Sequence, residues 1–105
     1  MPKYMIQASY TPEGLAGAIS QGFQARIEEV SSLIEAAGGT IEALYFAYGE
    51  HDLVAIIDGS EEAAIALSLA VNAGGAVKLS TTPLISIEQM DAARAQMPDY
   101  RAPGG

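Results

Sequence analysis

Cysteine is absent from the 105 residues, which excludes disulfides, thiolate metal sites and cysteine nucleophiles. A chain without cysteine fits a reducing compartment. The N-terminal residues lack the long apolar core of a secretory signal, and no apolar run approaches the roughly 20 residues that span a bilayer. We therefore expect a cytoplasmic protein.

Cations are scarce as well. Five Lys and Arg stand against 13 Asp and Glu, which gives a formal net charge of −8. Such a surface repels phosphate backbones and anionic lipid headgroups. Neither nucleic acid nor a membrane is therefore expected as a partner.

Half of the residues are apolar and only 17% are charged, so the chain is far from the composition of a disordered protein. Its length suits one hydrophobic core and leaves no room for a second domain. We expect a single domain over residues 1–97, followed by a loose C-terminal tail over residues 98–105.

The hydrophobic pattern predicts the order strand, helix, strand, strand, helix, strand, with an added C-terminal helix. Apolar and polar residues alternate over residues 4–10, as in a strand, and a loop or short helical turn follows. A helical stripe begins at Phe23 and ends at a glycine pair, and Ser60 is suited to cap the second helix. Residues 40–48, 52–58 and 77–85 supply the other strands, and Ser86 opens a short helix toward Met97.

This order predicts an α+β fold, a ferredoxin-like βαββαβ sandwich with an antiparallel sheet and helices on one face. The third strand, however, is apolar at every position over residues 53–57, whereas a half-solvated strand would alternate. Both of its faces therefore need cover, and a second copy packing sheet to sheet can supply it. We expect a homo-oligomer, at least a dimer.

Residues 40–54, TIEALYFAYGEHDLV, resemble the hairpin of the GYD-domain family, in which a glycine and an aspartate lie at a tight turn between two strands. Residues 11–14, TPEG, resemble that family's Thr-x-Glu-Gly, and similar stretches run from about Tyr4 to Met90. The tyrosine that names the family is His51 here. The resemblance implies a ferredoxin-like assembly of the dimeric α/β-barrel type and assigns no chemistry.

His51 is the sole histidine and the one side chain with an ordinary pKa near neutrality, so it is the candidate for a general base or a pH switch. The alternative interpretation is an ordinary turn residue. It has no spaced partner ligands, so neither a metal nor another cofactor is predicted. Asp52 beside it could orient the imidazole, or simply accept hydrogen bonds from nearby backbone amides.

Gln7 and Ser9 are polar residues on one predicted face of the first strand and must find partners if they are covered. They could line a pocket between the sheet and a second copy, or lie on a partly wet surface. Tyr45 is either a core anchor or a member of the same face. Lys78 could hold an anion or pair with a surface carboxylate. The ligand-binding candidates are Gln7, Ser9, Tyr45, His51 and Asp52.

Three functions remain open from the sequence. One is an oligomeric module that binds a small molecule or regulates a partner, which the lack of a catalytic constellation favours. The second is a small monooxygenase-like or isomerase-like enzyme acting on an apolar aromatic substrate, or holding a haem, between helices and sheet. The third is a purely structural assembly subunit.

Overall fold

The computed structural model describes residues 2–105, so Met1 of the predicted domain lies outside the described residues. Its centre is a four-stranded antiparallel sheet with the order β2-β3-β1-β4. The strands are β1 (Lys3–Tyr10), β2 (Thr40–Phe46), β3 (Leu53–Asp58) and β4 (Val77–Leu84). This arrangement confirms the predicted ferredoxin-like α+β fold.

One layer of helices packs on the sheet. Helix α2 (Phe23–Ala36) connects β1 to β2, and α3 (Glu61–Gly74) connects β3 to β4. The Ser60 side chain accepts a hydrogen bond from the amide of Ala63, so the predicted cap of α3 is present. Within residues 2–105, no helix is long and apolar enough to cross a bilayer.

The core lies between these helices and one face of the sheet. On β1 the buried residues alternate as predicted, and β3 buries every second side chain in the same way. The core side chains contributed by the sheet and by α2 and α3 are Tyr4, Ile6, Ala8, Ile34, Leu53, Ala55, Ile57, Ala64 and Leu67. Val54 and Ile56 point to the other face of β3 and are only partly shielded within one chain. That a second copy of the chain covers this face therefore stays a prediction.

The segment after β1 is more helical than predicted. Instead of a loop or short turn, it forms a ten-residue helix, α1 (Pro12–Gln21). Thr11 caps it and Pro12 occupies its first turn, where the missing amide proton costs nothing. Gly22, with φ of 94°, separates α1 from α2 by a backbone conformation that favours glycine. Only Ala18 of α1 is buried, and the turn-type residues Thr11, Pro12 and Gly14 at its start explain why the sequence predicted a loop or short turn.

A close contact fixes α1 against the start of β4. The carbonyl oxygen of Ala76 accepts hydrogen bonds from the amide of Thr11 at 3.0 Å and from its hydroxyl at 3.2 Å. The amide of Gly14 donates in turn to the Thr11 hydroxyl at 3.1 Å. A β-carbon on Gly14 would lie 1.9 Å from the Ala76 oxygen, so only glycine fits there.

The C-terminal residues 85–105, which we call the arm, stand off this body. The arm contains α4 (Ile87–Ala95), which has the predicted capping box between Ser86 and Gln89 but buries none of its residues. Its exposed apolar side chains are Ile85, Ile87, Met90, Met97 and Tyr100. The radius of gyration is 17.2 Å, against about 13 Å for a compact domain of this length. Packing against the rest of its own chain therefore stabilises the arm only slightly.

The Gly14 contact gives a test with a matched control on the same helix. We expect Gly14→Ala to lower the free energy of unfolding by about 1–3 kcal/mol, because the methyl group forces the Ala76 backbone away. A β-carbon on Gly17 meets no atom within 4 Å. Gly17→Ala should therefore raise the stability by about 0.5–1 kcal/mol through helix propensity. Urea denaturation followed by circular dichroism measures both, and equal effects would contradict the contact.

Candidate functional site

The sheet face opposite the helices carries most of the predicted site residues. Along one row of the strand register, Tyr45 lies opposite Val54, Val54 opposite Gln7, and Gln7 opposite Ser80. Directly paired residues of antiparallel strands point to the same side of a sheet. We call this surface the open face, and it consists of Met5, Gln7, Ser9, Ala43, Tyr45, Val54, Ile56, Lys78, Ser80 and Thr82.

A β-bulge decides that Tyr45 belongs to the open face. The register of β2 against β3 shifts between Ile41 and Ala43. Without the shift, Tyr45 would share the helix side with Ile41, four residues earlier. With it, Tyr45 turns to the open face, where it is 71% exposed. Phe46 turns to the helix side, where its ring packs edge-on against that of Phe23 with the ring centroids 5.1 Å apart.

The open face has a polar end and a more apolar middle. Met5 and Ile56 lie opposite each other across β1 and β3, and Ala43 and Thr82 continue their row on the outer strands. The polar end carries Ser9, which lies opposite Lys78. A flat surface of this kind offers apolar area for contact and a few hydrogen-bonding groups for orientation.

His51 joins the polar end from the β2–β3 loop. Its Nδ1 lies 3.3 Å from the Ser9 hydroxyl, which also lies 3.4 Å from the carbonyl oxygen of Glu50. A serine hydroxyl has one proton to donate. Both contacts are satisfied together when Nδ1–H donates to Ser9 and Ser9 donates to Glu50. In the neutral imidazole this tautomer leaves Nε2 as the atom with the basic lone pair.

Asp52 holds the loop that presents His51. Its carboxylate oxygen Oδ2 accepts a hydrogen bond from the backbone amide of Tyr10 at 2.8 Å, and its own amide donates to Ala8 at 2.8 Å. The pairing of β1 with β3 ends at Ala8 and Leu53. The hydrogen bond to the Asp52 side chain therefore adds one more bond between the two strands beyond their last backbone pair. The carboxylate is occupied by the backbone, and its geometry is that of a positioning residue.

Lys78 of the open face and Lys3, two residues before Met5 on β1, differ in their surroundings. Lys3 lies at the far end, where its Nζ is 2.7 Å from Asp58 and 3.2 Å from Glu42. Hydrogen bonds to Asp58 and then to Glu42 raise the pKa of Lys3 above its usual value, so it stays charged at physiological pH. Lys78 forms no ion pair within residues 2–105.

Neither a metal centre nor a roomy internal pocket accompanies these residues. Within the described part of the chain, no group of three or more His, Asp or Glu side chains could hold a metal ion. A cavity of about 40 Å³ lies between α2 and the sheet and is lined mainly by apolar side chains. It has room for only a few water molecules, and His51 is not among its lining residues. The geometry does not place His51 between helices and sheet.

The role of Asp52 can be measured. We expect Asp52→Ala to lower the free energy of unfolding by about 1–2 kcal/mol, because the Tyr10 amide loses a charged acceptor. Amide exchange at Tyr10 should become faster in the same variant. Glu50→Ala is the control from the same loop, and its stability should stay within about 0.5 kcal/mol of the parent chain. Unchanged protection of the Tyr10 amide in Asp52→Ala would show that the carboxylate does not hold the loop.

The comparison with known protein families gives a match that contains the β2–β3 hairpin and the sheet. The GYD domain matches residues 4–93, which include every strand from Tyr4 onward, the β2–β3 loop and most of α4. No curated protein matches the chain at a significant level. Since the match covers most of its length, the chain belongs to the GYD domain family.

Proposed function

We propose that the chain is a small cytoplasmic module that self-associates through its open face and binds a small molecule there. The observation that carries this proposal is the convergence of Gln7, Ser9, Tyr45 and His51 on one side of the sheet. They come from two strands and a loop, and they border the apolar side chains in the middle of that face. Orienting polar groups beside an apolar surface are typical of a small-molecule site.

Self-association is supported by apolar surface that the single chain leaves partly buried or exposed. Val54, Ile56 and Met5 lie together on the open face and are only partly buried by residues 2–105. The arm adds further exposed apolar residues, among them Ile87 and Met97. A nine-residue helix such as α4 is marginal alone in water and needs packing against other elements. A second copy would bury both surfaces, which is the common solution for small domains.

The self-association proposal is tested by placing a charge in the middle of the open face. We expect Val54→Lys to weaken the assembly about 100-fold or more, because the ammonium group would be buried without a partner. The single chain should stay folded, since Val54 lies outside its core. Native mass spectrometry of protein from its own host measures the assembly and any retained small-molecule mass together.

Ile19→Lys on α1 is the matched control, because Ile19 is exposed on the helix side of the molecule. It should leave the assembly and the retained mass unchanged. A parent protein that is monomeric at tens of micromolar would contradict the proposal. So would a Val54→Lys protein that assembles as well as the parent.

A second candidate is an enzyme of the monooxygenase-like or isomerase-like kind acting on an apolar aromatic substrate. The contact between His51 and Ser9 favours it, because an Nδ1–H that donates to Ser9 leaves Nε2 free to accept a proton from a substrate. The substrate would then lie on the open face. If the chain has such an activity, His51→Ala should lower kcat about 100-fold or more, whereas His51→Gln should restore only binding. Turnover that survives His51→Ala would remove this candidate.

A further inference from the structure

Helix α3 has an apolar outer face that the single chain leaves uncovered. From Ala63 to Val71 its only polar residue is Ser68, and a helix that is apolar all round is normally buried on every side. Ile65 and Leu69 are nevertheless 50% and 67% exposed. They lie one turn apart and therefore form a continuous apolar surface on α3.

This surface belongs to a groove at one edge of the sheet, which we call the α3 groove. Strand β4 is the last strand in the sheet order, and Tyr4 and Pro83 line the groove on the strand side. On the helix side the lining includes Glu61, Ile65 and Leu69, which lie about 6 Å apart along the helix axis. Glu61 forms no ion pair within residues 2–105. The groove thus presents a carboxylate at one end and two apolar side chains beyond it.

Helix α4 of the arm carries a complementary pattern. Ile87, Met90 and Arg94 are separated by three and then four residues, so they lie on one face of α4 at intervals of about 4.5 and 6 Å. Ile87 and Met90 are exposed. Arg94 forms no ion pair in the described part of the chain. This face therefore presents two apolar side chains followed by a cation.

The two patterns match only when α4 lies antiparallel to α3. Each apolar side chain then meets another and the cation meets the carboxylate: the pairs are Ile87 with Leu69, Met90 with Ile65, and Arg94 with Glu61. Parallel packing would instead put each charge against an apolar side chain, which desolvates both charges without a partner. The charges therefore fix the direction of α4 in the groove.

The direction of α3 decides which α4 can enter in this way. Its first residue, Glu61, lines the groove together with Pro83, near the end of β4. Further along α3, the side chain of Asn72 accepts a hydrogen bond from the amide of Leu79 at 2.8 Å, nearer the start of β4. Helix α3 and strand β4 therefore run in opposite directions, and β4 ends beside the Glu61 end of the groove.

The α4 of the same chain starts at the wrong end of the groove. Only Ile85 and Ser86 separate β4 from α4, so Ile87 stays near Glu61. Folded back from there, this α4 would run parallel to α3. Leu69 lies about 12 Å beyond Glu61 along the helix axis, farther than so short a link reaches even when straight, about 11 Å. The antiparallel arrangement therefore needs an α4 from another chain.

We propose that the arm of a second copy of this chain binds the α3 groove, with α4 antiparallel to α3 and Arg94 paired with Glu61. Each copy has one arm and one groove, so the contact is reciprocal in a two-fold dimer. It buries the exposed apolar side chains of both helices. The groove lies on the helix side of the sheet, so the contact does not depend on the open face.

Disulfide cross-linking between different chains tests the proposal. The chain has no cysteine, so introduced thiols meet no others. Two full-length single-cysteine proteins, Leu69→Cys and Ile87→Cys, are mixed in a glutathione redox buffer. Each carries one cysteine, so a mixed disulfide joins two chains, and mass spectrometry identifies it. In the matched control, Ala95→Cys replaces Ile87→Cys.

Position 95 lies about 12 Å from position 87 along α4. It would approach Leu69 only if α4 ran parallel to α3. A disulfide needs α-carbons within about 7 Å, so we expect the Ile87→Cys mixture to give about tenfold more mixed disulfide than the Ala95→Cys mixture.

Charge reversal tests the ion pair in the same assay. Arg94→Glu in both cysteine proteins should lower the yield of mixed disulfide about fivefold, because two carboxylates then face each other. Adding Glu61→Arg restores opposite charges and should recover the yield. Glu62→Arg is the matched control, because Glu62 is the neighbour of Glu61 but does not line the groove. It should not recover the yield.

Three results would overturn the proposal. They are equal yields with cysteine at positions 87 and 95, equal recovery by the two arginine substitutions, and no mixed disulfide at all. A chain that carries both Leu69→Cys and Ile87→Cys and closes the disulfide only within itself would assign the groove to its own arm instead.

The Val54→Lys variant separates this contact from the open face. It should weaken assembly through the open face and leave the mixed disulfide in place. Loss of the mixed disulfide in this variant would contradict an arm contact that stands by itself. Assembly through the open face without any mixed disulfide in the parent would overturn the arm contact alone.

Discussion

Helices cover only one face of the four-stranded sheet, and most of this molecule's organisation follows from that constraint. The covered face holds the core, where every second residue of β1 and β3 is buried against α2 and α3. The other face buries little apolar surface when a single chain folds. Its residues are therefore free to serve contact and recognition, and Gln7, Ser9 and Tyr45 lie among apolar neighbours there without disturbing the core.

Two adjacent residues of the β2–β3 loop, His51 and Asp52, have different roles. Asp52 accepts a hydrogen bond from the Tyr10 amide and thereby anchors the loop to the end of β1. His51 is consequently placed with its Nδ1 within hydrogen-bond distance of the Ser9 hydroxyl. The anchor depends on a carboxylate and a backbone amide, which tolerate many changes nearby. His51 is therefore held in a defined position by its neighbour rather than by its own side chain alone.

The sequence predicted the strand order, the helix caps and the face shared by Gln7 and Ser9, because these depend on local periodicity and on capping residues. It also resembled the GYD family over the region that the family match covers. The strand ends at Phe46 and Leu84 fall short of the predicted ends by two residues and one residue, as β-pairing stops before the turn residues. The face of Tyr45 could not be predicted, since the bulge at Ala43 arises from pairing between strands.

The largest departure from the sequence prediction is helix α1, which hydrogen bonds fix in place although it buries little of its own surface. A ferredoxin-like core needs one helix between β1 and β2, and α2 already supplies it. Helix α1 is additional, buries a single residue, and is held by Thr11 and Gly14 against the carbonyl of Ala76. Position 14 needs glycine because a β-carbon there would lie 1.9 Å from the Ala76 oxygen. The sequence hid α1 as a helix because Thr11, Pro12 and Gly14 are typical turn residues, although here Thr11 and Pro12 begin a helix.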